Sequence, residues 1–429
     1  MSEELQEDGE EGKQGDAEAI DYAKLFSLGS LHMAQYFPMS FAGIALPAIY
    51  RQEGLPLEMF WLLGLAAIPR WWKWLIALVV DNFGSKRIGM RKSWIIPCTT
   101  IGALCYLVIS FFYPSPETVI VISCILVFKS IVMAAQDIAV DAYAAESFTD
   151  RDRATGTSII VFMAVIGGAL GGGLVVLVEQ VGWQNTMMVA AGLQIMAAVP
   201  AVIRKEPPPP LASRKRQERG ERTNLLKAVR RPESLHILPF LIGFGFMGTF
   251  LGAMMSPFLV DKGFTLTQIG MVMPLAGLIG WGLGGAISPF LIKRFGLRGA
   301  GIIGGIIIPA DGLGCAWFSV METMPGVLPL TIIIGVLMFS MSILGYAVNN
   351  SRFRWVSKAQ AGTDYSMQSS VWNFGVWLAV SVSGPIAAWW GYTAFFLLAA
   401  VVAVSVAAWY VLMWNRVEEL VLAREAKED

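Results

Sequence analysis

Histidine, cysteine and charge are all scarce in this chain. Its 429 residues include two histidines, His32 and His236, and four cysteines. Two histidines cannot build a multi-ligand metal cluster, so no metal site is expected. Cys98, Cys105, Cys124 and Cys315 all fall in apolar runs, where a thiol packs as a small hydrophobe, so no disulfide framework is expected either. Charged residues make up only 15% of the chain. A soluble domain carries roughly 25%, so there is too little charge here to cover a water-facing surface. Formal net charge is +0, so bulk charge names no partner, and nucleic acid is not expected as one. The N-terminal stretch MSEELQEDGEEGKQGD lacks the basic-then-apolar order of a signal peptide and reads as a short disordered acidic tail. GGALGGG at 167–173 and GWGLGG at 280–285 follow no strand, so they read as close-packing faces and not as phosphate loops.

What the chain has is apolar length. Hydrophobic residues reach 55% and glycines number 44. Mean hydropathy is +0.59. A membrane-spanning helix needs about 20 mostly apolar residues, and twelve such runs occur in order, at 26–50, 57–80, 94–113, 117–145, 155–179, 184–203, 236–260, 267–292, 299–320, 327–350, 367–390 and 392–414. In lipid every backbone polar group must be satisfied within the segment, so these runs are expected to be helices. The expected fold is an all-α membrane protein with twelve transmembrane helices in two six-helix halves.

Loop charges set the orientation. With both termini inside, 27 of the 32 lysines and arginines lie in inner segments, and only Arg51 and Lys262 lie in outer loops. Both termini are therefore expected in the cytoplasm, with the chain multi-pass in the cytoplasmic (inner) membrane. Residues 204–235, opening RKEPPPPLASRKRQERGERT, are the longest hydrophilic stretch. They divide an acidic tail (1–25) and a first half (26–203) from a second half (236–414) and a C-terminal tail (415–429). The halves echo one another. Phe83-Gly84 and Ile95-Ile96-Pro97 recur 212 residues later as Phe295-Gly296 and Ile307-Ile308-Pro309. Such duplication is common in transporter folds.

Two charged stripes stand out inside the apolar runs. Arg70, Lys73, Ala77 and Asp81 share one face of the second helix, and Lys129, Met133, Asp137 and Asp141 one face of the fourth. At ~1.5 Å per residue, Lys73 and Asp137 both lie ~12 Å from the cytoplasmic end, so they can meet. A charge in the bilayer core costs at least ~2.5–3.5 kcal/mol and needs a partner or a wet cavity. Two readings stay open, static salt bridges or a cavity that binds an anionic solute and exchanges protons. On the second, Arg70, Lys73 and Lys129 bind the solute and Asp137 and Asp141 carry protons. Asp137, the deeper of the two, is the better candidate, and Asp141, near the cytoplasmic end, is expected to belong to the latch described next. Gln35, Tyr36, Gln136, Trp372 and Asn373 are further candidates for the cavity wall. His32 reads as hydrogen-bonded packing first, and Asp311 has no assigned role.

The loop DNFGSKRIGMRKSW, from Asp81 to Trp94, resembles the signature between helices two and three of the major facilitator superfamily. The resemblance implies a conformational latch of Asp81 with Arg87, Arg91 and Lys92. The wider pattern is LPAIYRQEGLPLEMFWLLGLAAIPRWWKWLIALVVD, RKSWIIP, AAQDIAVDAYA and AGTDYSMQSSVWNFG. It is similar to the branch holding muropeptide permeases, acetyl-CoA transporters and rhizobactin/pyochelin-type siderophore permeases, with the siderophore group nearest by the GLPLE turn, Lys73 and the AGTDYS segment. The resemblance implies a major-facilitator fold working as a monomer without cofactor or catalytic residues. It also implies a proton-driven transporter of a bulky polar or anionic solute. A ferric siderophore-like chelate is the first expectation and a muropeptide or acyl-CoA-type anion the next. A membrane assembly factor or sensor on the same fold remains the alternative from another class.

Overall fold

The computed structural model describes residues 20–85, 87–148, 153–204, 206, 229–357 and 361–428. These form helices and turns with no β-strand among the described residues. α1 begins at Tyr22, where the Asp21 carboxylate accepts the Lys24 N–H at 2.8 Å and caps the first turn. It runs as Tyr22–Ser40, a π-helical turn Phe41–Ala45 and Leu46–Gln52. α2 is assembled from short pieces: Leu57–Phe60, Trp61–Gly64, Leu65–Ala67, Ile68–Trp71 and Lys73–Asn82. α3 (Lys92–Ile109), α4 (Val119–Ser147), α5 (Arg153–Val181) and α6 (Trp183–Ile203) complete the first half.

The second half opens with α7, which runs as Ser234–Ala253 and Met255–Asp261. The helix Leu266–Ile307 is interrupted at Gly296 (φ 71°), giving α8 (266–295) and the start of α9 (297–307), which resumes as Pro309–Val320. α10 is Val327–Trp355. The helix Ala361–Glu428 is interrupted at Gly391 (φ 76°), giving α11 (361–390) and α12 (392–428). A left-handed φ is open to glycine at little steric cost, which is why both breaks fall on that residue.

Among the described residues, seven helical segments are long and apolar enough to cross a membrane, and two of them, Leu266–Val320 and Asp364–Ala426, contain the breaks at Gly296 and Gly391. α1, α2 and α6 are not among the seven. α1 and α2 are also where the helical ladder changes pitch, and they carry Gln35, Tyr36, Arg70 and Lys73, while Lys129, Gln136, Asp137 and Asp141 lie on α4. Helix persists beyond the expected C-terminal boundary. Residues 415–428 continue α12, tied back by Arg424 to Glu233 at 2.6 Å and by Arg354 to Glu418 and Glu425 at 2.9 and 2.5 Å.

Glycine contacts set the helix pairs. A Cβ on Gly171 of α5 would lie 2.1 Å from the Phe37 carbonyl oxygen of α1, and one on Gly375 of α11 would lie 2.1 Å from that of Ile242 in α7. The same close approach thus joins the first and fifth helices of each half, as duplication predicts. Gly280 and Gly284 pack α8 on Met338 and Ser342 of α10. Backbones this close gain van der Waals contact, the main attraction between helices in lipid.

Apolar packing divides into three clusters. One holds residues of both halves, from Phe41, Tyr50 and Val175 to Phe258, Ile269 and Phe396. A second stays in the first half, around Leu31, Ile95 and Tyr143, and a third stays in the second half, around Phe240, Trp355 and Tyr410. The separate clusters lie at the end of the bundle that holds both ends of the described chain, called here the terminal end. The shared cluster lies at the opposite, far end.

Candidate functional site

Three helices of the first half bring charge together. Lys73 Nζ of α2 donates to Asp137 Oδ2 at 2.6 Å and to Asp141 Oδ2 at 3.3 Å, both on α4. His32 of α1 closes the group, with Nε2 at 3.4 Å from Asp141 Oδ1. Its Nδ1 lies 3.1 Å from the Leu28 carbonyl oxygen. With Nδ1 donating there, Nε2 meets the carboxylate as a donor only when the ring is protonated. The expected meeting of Lys73 with Asp137 is present. The position of Asp141 differs from expectation. It belongs to the Lys73 cluster and not to the latch, because it follows Asp137 by one helical turn and so presents the same face to the same lysine.

The cluster is wet. The Asp141 side chain is 55% exposed although α1 and α2 both reach it. Tyr36, one turn beyond His32, is 46% exposed, and Asp137, Arg70, Asp141 and Lys73 all lie within electrostatic range of its phenol. An exposed group ringed by interior charges marks a water-accessible cleft.

Arg70 is set by the break in α2. Trp72, at φ −92° and ψ 8°, leaves the helix between Arg70 and Lys73. The Arg70 guanidinium turns to α1, with Nη1 2.8 Å from the Met39 sulfur, and meets no carboxylate among the described residues. Met39 and Trp72 beside it are exposed. Trp71 turns the other way. It stacks on Trp377 of α11 at 5.6 Å and 10°, joining the halves at mid-length.

Other expected wall residues lie elsewhere. Lys129 is buried at 3% exposure, donating to the Gly102 carbonyl and the Gln194 amide oxygen at 2.6 and 2.7 Å, over the Tyr106 ring. It stands between α3, α4 and α6, away from the cleft. Eight residues of helix rotate it by about 80° from Asp137, enough to face a different neighbour. Gln136 is fully buried toward Thr99 of α3. Gln35 is buried, and its Nε2 meets no hydrogen-bond partner among the described residues. Asn373 donates to Ser369 of its own helix at 2.8 Å. Trp372 packs on Phe244 and faces Arg352, whose guanidinium carbon is 4.9 Å from its ring.

Arg352 was not among the expected site residues, because its segment reads as inner loop. α10 extends to Trp355 and buries it, with Nη2 on Ser369 Oγ at 2.5 Å and Nη1 on Asn349 Oδ1 at 3.2 Å.

At the terminal end, Arg91 pairs with Glu146 at 2.8 Å. The Glu206 carboxylate accepts the N–H groups of Arg91 and Lys92 at 2.9 and 3.0 Å, satisfying the start of α3. The Lys92 ammonium holds the Val202 carbonyl at 2.8 Å, and Arg87 is exposed. The Asp81 side chain lies outside the described residues. Glu146 and Glu206 are thus acids that the motif did not indicate. Glu146 lies five residues after Asp141, off the four-residue stripe of α4, so the spacing did not point to it. Nearby, the Arg204 guanidinium holds the Asp21 carboxyl below its usual range. No cluster of three or more potential metal ligands occurs among the described residues.

The two ends of the bundle differ in what they join. At the far end, Arg51 of α1 grips Asp261 of α7 at 2.6 and 2.8 Å, and Glu179 of α5 accepts the Thr267 N–H of α8 at 2.7 Å. Gly384 of α11 packs on Leu57 and Phe60 of α2. These contacts cross between the halves. At the terminal end, the pairs Arg91–Glu146, Arg204–Asp21, Arg231–Asp364 and Arg424–Glu233 each stay within one half.

Known proteins share this fold. Solved structures of the nucleoside transporter NupG (TM-score 0.67, 15% identity, 91% of this chain and 98% of that one) and of a bacterial homologue of the lysosomal transporter Spinster, in an inward-facing and occupied conformation (TM-score 0.67, 15% identity, 91% and 96%), have the same fold. In sequence, a protein of Rickettsia conorii named transporter AmpG 4 is 25% identical over 410 residues, covering 92% of this chain and 96% of its own. Its namesake in Rickettsia felis is 24% identical over 413 residues, covering 92% and 96%. These relatives agree with the branch that the motif pattern indicates. The family model described as Major Facilitator Superfamily matches residues 28–354, and the chain belongs to that superfamily of membrane transporters.

Proposed function

We propose that this protein is a proton-coupled secondary transporter of a bulky anionic solute, with the cleft of Arg70, Lys73, Asp137 and Asp141 as its site. The observation that carries the reading is the shared lysine, 2.6 Å from one carboxylate and 3.3 Å from the other. Arg70 and Lys73 balance Asp137 and Asp141 when both acids are ionised. A proton on Asp137 leaves a net positive cleft, which favours an anion. An anion that draws Lys73 away leaves Asp137 without its counter-charge, which favours the proton. Each ligand thus promotes the other, a reciprocal coupling through one cation.

The loop charges support a cytoplasmic terminal end. With the halves joined at the far end, the cleft then faces the cytoplasm, one of the two states of an alternating-access cycle. Among solutes, the AmpG-named relatives favour a muropeptide, whose peptide carboxylates suit Arg70 and Lys73. A ferric siderophore-like chelate, favoured by the GLPLE and AGTDYS segments, is the second candidate. The test is Asp137→Asn in vesicles with an imposed pH gradient and a radiolabelled disaccharide-peptide as probe. The expected result is loss of gradient-driven accumulation with exchange at equal pH retained. Accumulation that still follows the gradient removes Asp137 from coupling. A vesicle carrying the native protein that neither accumulates nor exchanges any candidate solute favours the sensor class.

A further inference from the structure

Asp311 lies in α9, outside the cleft, and the transport scheme does not use it. The helix breaks only slightly there. Ile308 N–H still reaches the Gly304 carbonyl at 3.0 Å, so Asp311 does not stand at a free helix terminus. Its surroundings are identifiable on every side. Along α9 the nearest titratable group is Cys315, one turn on. On the α12 side, Gly312 packs against Phe396 and Ala400. On the α10 side stands Ser340, fully buried. No lysine, arginine or histidine faces the carboxyl among the described residues.

The hydrogen-bond inventory then bears on the proton. Ser340 Oγ lies 3.0 and 2.9 Å from the two Asp311 oxygens and 2.8 Å from the Leu337 carbonyl oxygen. A hydroxyl has one hydrogen. The Leu337 carbonyl, one turn back on the same helix, is the habitual acceptor for a helical serine. With that hydrogen spent, the contact to Asp311 is oxygen against oxygen unless the carboxyl supplies its own. An ionised carboxylate here would also be a charge with no counter-charge among the described residues, in a segment apolar enough to cross a membrane.

We propose that Asp311 is a second proton-binding site, a neutral carboxyl that donates its hydrogen to Ser340 Oγ and ties α9 to α10 apart from the solute path. A neutral, partly exposed carboxyl at this depth is also a site for apolar carbodiimides. The carboxyl proton moves to a carbodiimide nitrogen, the carboxylate oxygen bonds to the central carbon, and the O-acylisourea forms with nothing leaving.

The test is infrared difference spectroscopy of the protein in lipid vesicles at neutral pH, native minus Asp311→Asn. The expected result is a protonated-carboxyl C=O band present only in the native protein and shifted down in D2O. Ser340→Ala should keep the band and raise its frequency, since the acceptor is gone. A difference spectrum holding only carboxylate stretches, as an ionised Asp311 or a bound metal cation would give, overturns the proposal. Should Asp311→Asn fail to fold, dicyclohexylcarbodiimide treatment of the native protein decides by peptide mass spectrometry. An adduct on Asp311 supports the site, and an unmodified Asp311 peptide overturns it.

Discussion

Arg51 and Asp261 join the two halves of the molecule through a two-pronged ion pair, Nε to Oδ1 at 2.6 Å and Nη2 to Oδ2 at 2.8 Å. The Tyr392 hydroxyl donates to the same Asp261 oxygen at 2.7 Å. A planar fork matched to a carboxylate fixes direction as well as distance. The pair therefore holds the far end closed in one geometry, and it must separate if that end is to open.

Reversing one partner should show this. Arg51→Asp sets two carboxylates against each other at the junction of α1 and α7, and the initial rate of solute uptake should fall at least several-fold. Arg51→Asp combined with Asp261→Arg should recover a large part of it. A double variant no faster than either single variant means that the pair does not govern closure. An ion pair of this partial exposure contributes about 1 kcal/mol, so a shift in rate is expected without unfolding.

Lys73→Ala leaves Asp137 and Asp141, one turn apart on the same face of α4, without their shared cation. The folded protein should reach the membrane, and uptake should be lost. Its stability cost should fall between the ~1 kcal/mol of an exposed pair and the ~3–5 kcal/mol of a buried one. Thermal unfolding in detergent measures the first quantity and uptake the second. Native uptake by Lys73→Ala shows that the lysine neither binds the anion nor sets the proton affinity of its neighbours.

Accessibility tests the direction in which the cleft opens. Tyr36→Cys, in a background with the exposed Cys124 replaced by serine, places a thiol among the interior charges. A membrane-impermeant maleimide should label it in inside-out vesicles and leave it largely unlabelled in intact cells without solute. The reverse pattern makes the far end cytoplasmic and contradicts the loop-charge orientation.

The glycine contacts separate packing from composition. Gly171→Ala drives a methyl into the Phe37 carbonyl, at 2.1 Å, and must part α1 from α5. Gly173, two residues on, has nothing within 4 Å of a new Cβ. Gly171→Ala should cost about 1–3 kcal/mol, the range for overpacking. Gly173→Ala should be neutral or slightly stabilising by helix propensity. Equal melting temperatures for the two variants would contradict the close approach.

Much of the architecture was legible before any fold was known. Apolar run length and loop charge mark membrane segments because lipid admits only internally satisfied backbone and few charges. The 212-residue echo foretold paired halves, and glycine contacts between α1 and α5 and between α7 and α11 repeat that symmetry. The meeting of Lys73 with Asp137 was also legible. Helical rise gives depth, and two charges at one depth in lipid must find each other or water.

Azimuth was not legible, because spacing along one helix says nothing of which neighbour that face meets. A four-residue repeat falls behind the helical turn, so Lys129 rotates toward α3 and α6 while Asp137 and Asp141 face α2. Asp141 could have served the basic loop or the cleft, and only the placement of α1 and α2 gave it to Lys73 and His32. Glu146 and Glu206 reach Arg91 from segments far apart in sequence, so no local motif announces them. Arg352 reads as a loop charge until α10 extends around it and Tyr365 and Trp372 cover its guanidinium. The closed far end is the least local feature of all. It rests on Arg51 meeting a carboxylate 210 residues away, and one sequence must allow that contact both to form and to break.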